Sequence, residues 1–106
     1  MKENIPYKKI HFIGIGGVSM SGIAQILLKW GYIVTGSDRN ESPMLETLKN
    51  AGATVYIGHD GNNVQDQDLI VYTAAVPQDN PELVKGKELG IAIMERAEFL
   101  GELTKL

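Results

Sequence analysis

No cysteine occurs anywhere in the 106 residues. Disulfides and thiolate metal sites are therefore excluded, and the composition fits a reducing compartment. No basic block exists either. Ten Lys and Arg residues are interspersed with thirteen Asp and Glu, for a net charge of −3. Such a balance gives no support to a nucleic-acid partner or an anionic membrane. Long apolar runs are missing too. The longest, Ile23 to Leu28, is broken by Gln25 and is far too short to span a bilayer. The N-terminal stretch MKENIPYKK has no apolar segment behind it, so no signal peptide is expected and a cytoplasmic location is.

Signatures of chemistry are equally scarce. There is no G-x-x-x-x-G-K-[ST] stretch to cradle a triphosphate. Neither histidine, His11 or His59, has a second ligand at metal-binding helical spacing. No Ser-His-Asp or Cys-His set can be assembled. No catalytic residue, no metal ligand and no cofactor is therefore assigned to this chain, which reads as a binding module.

What is present is a repeated punctuation. The segments KWGYIVTG, NAGATVYIG and ELGIAIM each read as a helix end, a glycine and a short β-rich run. Gly31, Gly52 and Gly90 stand where a helix stops on a left-handed residue. With KIHFIG and DLIVYTAAV, five strands are predicted, near 9–13, 32–36, 54–57, 69–73 and 91–94. Helices are predicted over 17–30, 43–51, 81–89 and 96–105. The first carries Val18, Ile23, Ile26, Leu27 and Trp30 at helical spacing. The last has Ala97, Leu100, Leu103 and Thr104 on one side. Ser42-Pro43 and Asn80-Pro81 are N-cap and first-turn pairs. Between strands 3 and 4, GHDGNNVQDQ allows a single helical turn or a plain loop.

Strands alternating with helices imply right-handed βαβ units and a parallel sheet. The expected fold is α/β, a Rossmann-like doubly wound sheet of five strands in the order 3-2-1-4-5, as a single domain. Ligands of such sheets bind beyond the carboxyl ends of the strands, where the order reverses. Here that point lies between strands 1 and 4.

The loop after strand 1 is G-I-G-G-V-S. Gly14 suits a tight turn, Gly16 is read as making room for a phosphate, and Gly17 as adding backbone freedom. Ser19 stands where a third glycine is usual, with a hydroxyl to cap the helix or touch a ligand. Gly22, one turn on, suits close packing. The following helix offers unpaired N–H groups and a positive dipole end to an anion. After strand 4, Thr73, Ala74 and Ala75 let a ligand lie against the backbone, or form an ordinary turn. Strand 2 ends in Ser37 and Asp38, and an acid there commonly takes a ribose hydroxyl of a dinucleotide. Arg39 beside it suits a 2′-phosphate, which keeps an NAD(P)-binding regulatory or dehydrogenase domain open. His11 is expected to be buried and hydrogen-bonded. His59 and Arg96 are expected at the ligand edge.

The stretches HFIGIGGVSMSGIAQILL, GYIVTGSD, GHDGNNV, TAAVPQDNPELV and ERAEFLGEL resemble, in order and spacing, the N-terminal domain of the Mur ligase family. Within it they are most similar to the branch that adds L-alanine to UDP-N-acetylmuramate in peptidoglycan synthesis. The chain departs from the family pattern at Ser19, often glycine, and at Thr73-Ala74, often paired serines. Both departures keep a small side chain. The resemblance implies that the domain holds UDP-N-acetylmuramate rather than NAD, with the two loops around the diphosphate. It implies that Asp38, His59 and Asn63 lie near the nucleoside. It further implies a fragment of an ATP- and magnesium-dependent acid–amino-acid ligase, whose remaining domains are its partners. The parent would activate the muramate carboxyl as an acyl phosphate for attack by an amine, and this chain alone would be inactive. A relative that ligates a tripeptide to the same sugar nucleotide shares these features.

Overall fold

The structure, a computed structural model, describes residues 5–104. The chain runs β1 (Lys9–Ile13), α1 (Val18–Lys29), β2 (Ile33–Asp38), α2 (Pro43–Asn50) and β3 (Thr54–Ile57). A single 3₁₀ turn (Gly61–Asn63) leads to β4 (Leu69–Tyr72), α3 (Pro81–Leu89), β5 (Ala92–Glu95) and α4 (Arg96–Thr104). All strand pairs are parallel and the order is β3-β2-β1-β4-β5, as expected. Residue 105, included in the predicted last helix, lies outside the described residues.

Local chemistry accounts for the boundaries. Gly31, Gly52 and Gly90 have φ of +88°, +114° and +74°, values that side chains disfavour and that end the three helices preceding them. The Ser42 side chain accepts from the Leu45 N–H, and Asn80 accepts from the Glu82 N–H. Both caps are followed by proline at the first helical position. The polar GHDGNNVQDQ segment makes its one helical turn and no more.

Alternation along the strands divides the core. Ile10 and Phe12 of β1 face α1, α2 and α4, in a cluster with Met20, Leu27, Leu45, Leu48 and Phe99. Ile13 faces the other way, toward Ile70, Val64 and Leu83. That second face is covered by α3 and the 3₁₀ turn, with polar residues of β1 and β2 beneath them. His11, Thr35 and Ser37 are all buried there.

Four expectations need correction. Strand β2 reaches Asp38, two residues beyond its expected end, because Ser37 pairs with Ile13 and Asp38 with Ile57. Val18, at 94%, and Ile26, at 46%, are exposed rather than on the packed face of α1. In α4 the fully buried side chain is Phe99, which meets Phe12 edge-on at 6.4 Å; Leu100 and Leu103 pack only partly. Gly22 is exposed with open space around its missing Cβ. Close approach falls to Gly36 instead, where a Cβ would stand 2.5 Å from Ile15.

Candidate nucleotide-binding site

A cavity of about 510 Å³ opens where the strand order reverses, above the carboxyl ends of β1 and β4. Its volume lies within the range of small-molecule sites. One wall is the glycine loop. Gly14, at φ +82°, turns the chain so that its N–H and that of Ile15 both donate to the Ser37 carbonyl, at 2.8 and 3.0 Å. The loop is locked by the Gly17 N–H on the Gly14 carbonyl at 3.0 Å.

The helix behind that loop is left open at its positive end. Gly17 at the N-cap supplies no side-chain acceptor, and the first turn of α1 holds no acid. The amides of Val18, Ser19 and Met20 find no acceptor among the described residues. By contrast, α2 and α3 are capped by Ser42 and Asn80 and carry Glu46 and Glu82 in their first turns. Two guanidiniums, Arg39 and Arg96, also line the cavity. Neither makes an ion pair among the described residues. Free amides, a helix dipole and two cations favour an anion at this mouth.

Of the residues singled out from the sequence, Gly14, Gly17, Ser19, Asp38, His59, Thr73, Ala75 and Arg96 line the cavity. Ser19 makes no capping bond to α1. Gly16, Ser37, Asn63 and Ala74 are not part of the lining. Ala74 lies on the exposed outside of a turn closed by the Val76 N–H on the Thr73 carbonyl. The space beside the Gly16 Cα is filled by the chain's own side chains. A Cβ there would lie 2.8 Å from Asp38 Oδ2 and 3.2 Å from Leu45. Its N–H donates to that same Oδ2 at 2.9 Å. Asp38 therefore braces the glycine loop while also facing the cavity, its other oxygen accepting from the Arg39 N–H at 2.8 Å.

Ser37 and Asn63 belong to a buried network under the cavity. At its centre is Glu82, fully buried in the first turn of α3. His11 Nε2 lies 2.6 Å from Glu82 Oε1, and the Ser37 hydroxyl donates to the same oxygen at 2.8 Å. Asn63 Nδ2 and the Asp60 N–H donate to Oε2 at 2.9 and 3.0 Å. His11 Nδ1 meets Thr35 Oγ1 at 2.7 Å, and Gln67 bridges Thr35 to the Asn63 carbonyl. His59 joins through Nδ1, 2.8 Å from Ser37 Oγ. Burial pushes the Glu82 carboxyl up, but hydrogen bonds from His11, Asn63 and Ser37 outweigh it. The net effect holds Glu82 below the usual carboxylate range. Sequence reasoning missed Glu82, because an acid in a helix's first turn reads as ordinary dipole compensation.

The sheet order, the switch-point cavity and the uncapped α1 together define a Rossmann-like α/β domain with an anion-favouring mouth. The chain belongs to the Mur ligase family: residues 9–106 match the family described as "Mur ligase family, catalytic domain". It is 62% identical over 103 residues to the UDP-N-acetylmuramate–L-alanine ligase of Clostridium novyi, covering 97% of this chain and 22% of that protein. With the enzyme of the same name from Clostridium perfringens, identity is 59% over 98 residues, or 92% and 21% of the two chains. The crystal structure of UDP-N-acetylmuramate–alanine ligase from Thermotoga maritima superposes with a TM-score of 0.87 at 35% identity, covering 92% of this chain and 23% of that one. A murein peptide ligase from Psychrobacter arcticus gives 0.82 at 31%, covering 90% and 20%. The chain thus spans about a fifth of the length of the curated relatives it matches.

Proposed function

We propose that this chain is the substrate-nucleotide domain of a UDP-N-acetylmuramate–L-alanine ligase, and that its cavity holds the UDP part of UDP-N-acetylmuramate. The observation that carries the reading is the open N-terminus of α1, facing a cavity lined by two arginines that make no ion pair among the described residues. A diphosphate laid there satisfies the amides of Val18, Ser19 and Met20, which find no acceptor among the described residues. Gly14, Gly17, Ser19, Thr73 and Ala75 then contact it through backbone and small side chains, with Arg96 closing on the charge. Asp38 and His59 lie toward the nucleoside, and Ser37 and Asn63 act from beneath. The names of the L-alanine ligase relatives, at up to 62% identity, favour L-alanine as the acceptor over the peptide of the murein ligases.

The role of this chain is to bind and orient. ATP and magnesium would supply activation of the carboxyl in the parent ligase. Among the described residues no group of His, Asp and Glu could hold a metal, so the residues present do not fit that site. We assign ATP, magnesium and catalysis to remaining domains of the same ligase, and no step is derived through them. Among the described residues no helix is long and apolar enough to cross a membrane. Together with the lack of cysteine, this supports a cytoplasmic placement.

Calorimetric titration of the chain with UDP, UDP-N-acetylmuramate and NADH tests the reading. Heat of binding is expected from both uridine nucleotides and none from NADH. Tight binding of NADH with no response to UDP would overturn it in favour of a dinucleotide-binding domain, for which Asp38 and Arg39 are the residues in place.

A further inference from the structure

We propose that Glu82, which is not part of the cavity lining, fixes the proton on His59 through Ser37, and so makes Nε2 of that ring a hydrogen-bond acceptor toward the cavity. The inference deepens the reading of the cavity as a uridine-nucleotide site and rests on it for the ligand, though not for the proton.

The direction of each bond follows from counting donors. An ionised carboxylate only accepts, at about four lone-pair sites. Glu82 meets four donors: His11 and Ser37 on Oε1, Asn63 and the Asp60 amide on Oε2. A serine hydroxyl has one proton, and that of Ser37 is committed to Glu82. Toward His59, 2.8 Å away, Ser37 Oγ must therefore accept, so Nδ1 carries hydrogen. The second Glu82 oxygen, 3.6 Å from the same nitrogen, favours a proton there as well. The neutral ring then has its lone pair on Nε2. That atom has no hydrogen-bond partner among the described residues, the side chain is 21% exposed, and the ring lines the cavity. In water, the neutral histidine side chain favours the opposite tautomer, with hydrogen on Nε2.

An acceptor at that place selects a ligand N–H or O–H. In a uridine nucleotide the candidates are the imide N3–H of the base and the ribose hydroxyls. Cytosine carries a bare acceptor at N3, so an acceptor facing the base disfavours it. Glutamine in place of Glu82 reverses the chain of donors without moving heavy atoms. The Asp60 donor is a backbone amide and cannot invert, so the glutamine oxygen stays with it. The new NH₂ faces Ser37 and His11, which can invert by hydroxyl rotation and by tautomer exchange. Ser37 then donates to His59 Nδ1, and Nε2 takes the hydrogen.

The test is two-bond proton–nitrogen NMR of the ¹⁵N-labelled chain above the titration of its two histidines, with titrations alongside. His59 is expected as the Nδ1–H form in the parent and the Nε2–H form in Glu82→Gln. An Nε2–H ring in the parent, or the same tautomer in both proteins, overturns the proposal. If Glu82→Gln does not fold, Ser37→Ala serves, and His59 should lose part of its Nδ1–H population to the solvent-favoured form; an unchanged population overturns the relay through Ser37. UDP binding should fall about ten-fold or more in Glu82→Gln, as expected for losing one hydrogen bond to a buried partner. In the parent, a comparable loss with the 3-methyluridine nucleotide assigns the donor to the base. A loss with the 2′- or 3′-deoxy nucleotide assigns it to the ribose, and no loss with any of them removes the ligand half of the proposal. A parent that binds no UDP at all defeats the functional reading and leaves the tautomer result standing on its own.

Discussion

Two glycines six residues apart should respond to the same substitution with opposite signs. Alanine at Gly16 brings a Cβ to 2.8 Å from Asp38 Oδ2 and 3.2 Å from Leu45. The Asp38 carboxylate cannot simply withdraw, because it also accepts from the Gly16 and Arg39 amides, at 2.9 and 2.8 Å. Moving it forfeits a hydrogen bond to a charged group, about 1.5–3 kcal/mol, and crowds a packed leucine, about 1–3 kcal/mol. Gly16→Ala should therefore cost roughly 2.5–6 kcal/mol and lower Tm by at least about 10 °C in a chain of this size. At Gly22, exposed in mid-helix, an added Cβ meets nothing within 4 Å. Gly22→Ala should stabilise by up to about 1 kcal/mol through helix propensity. Urea denaturation of both variants measures the pair. Adding Asp38→Ala to Gly16→Ala should recover part of the loss relative to Asp38→Ala alone. A Gly16→Ala cost within about 0.5 kcal/mol, or a cost unchanged without the Asp38 carboxylate, would refute the assignment of Gly16 to bracing the loop.

Phe99→Ala should cost about 3–5 kcal/mol, because it empties a fully buried site against Phe12 and frees α4 from the sheet; thermal melts measure it. Glu82→Ala should cost about 3–5 kcal/mol at neutral pH, since it leaves four donors around an unfilled acceptor site. The folded-state pKa of Glu82 lies below its unfolded value. Its ionised form therefore adds stability that is complete above the ordinary glutamate range and is lost as pH falls through the folded pKa. The gap in urea midpoint between parent and Glu82→Ala should narrow on acidification below about pH 5; a gap that stays constant there would count against the network.

The sheet was legible in the residues because its determinants are local. Each helix stop needs a left-handed residue, and Gly31, Gly52 and Gly90 supply it at helix ends followed by β-branched runs. Pro after Ser42 or Asn80 marks a helix start by the same local logic. With parallel strands and right-handed crossovers, little freedom in topology remained. The place of the site followed from that topology, and the glycine loop was visible as a spacing.

What each site residue does depended on distances across the chain. Asp38 and Gly16 are 22 residues apart, yet their contact decides why Gly16 has no side chain. Gly22 looked like a packing glycine and Gly36 did not, because only the fold shows which one Ile15 overhangs. Asn63 and Ser37 read as ligand residues, and only the tertiary structure shows that the Asn63 amide nitrogen and the Ser37 hydroxyl also donate to Glu82. Glu82 itself is an unremarkable first-turn acid until β1, β2 and the 3₁₀ turn close over it. Hydrogen-bond direction is a property of the assembled network, since each donor constrains the next. The sequence by itself determined the elements, their order and the open end of α1. The tertiary structure alone decided which polar side chains face the cavity and which are consumed in holding it.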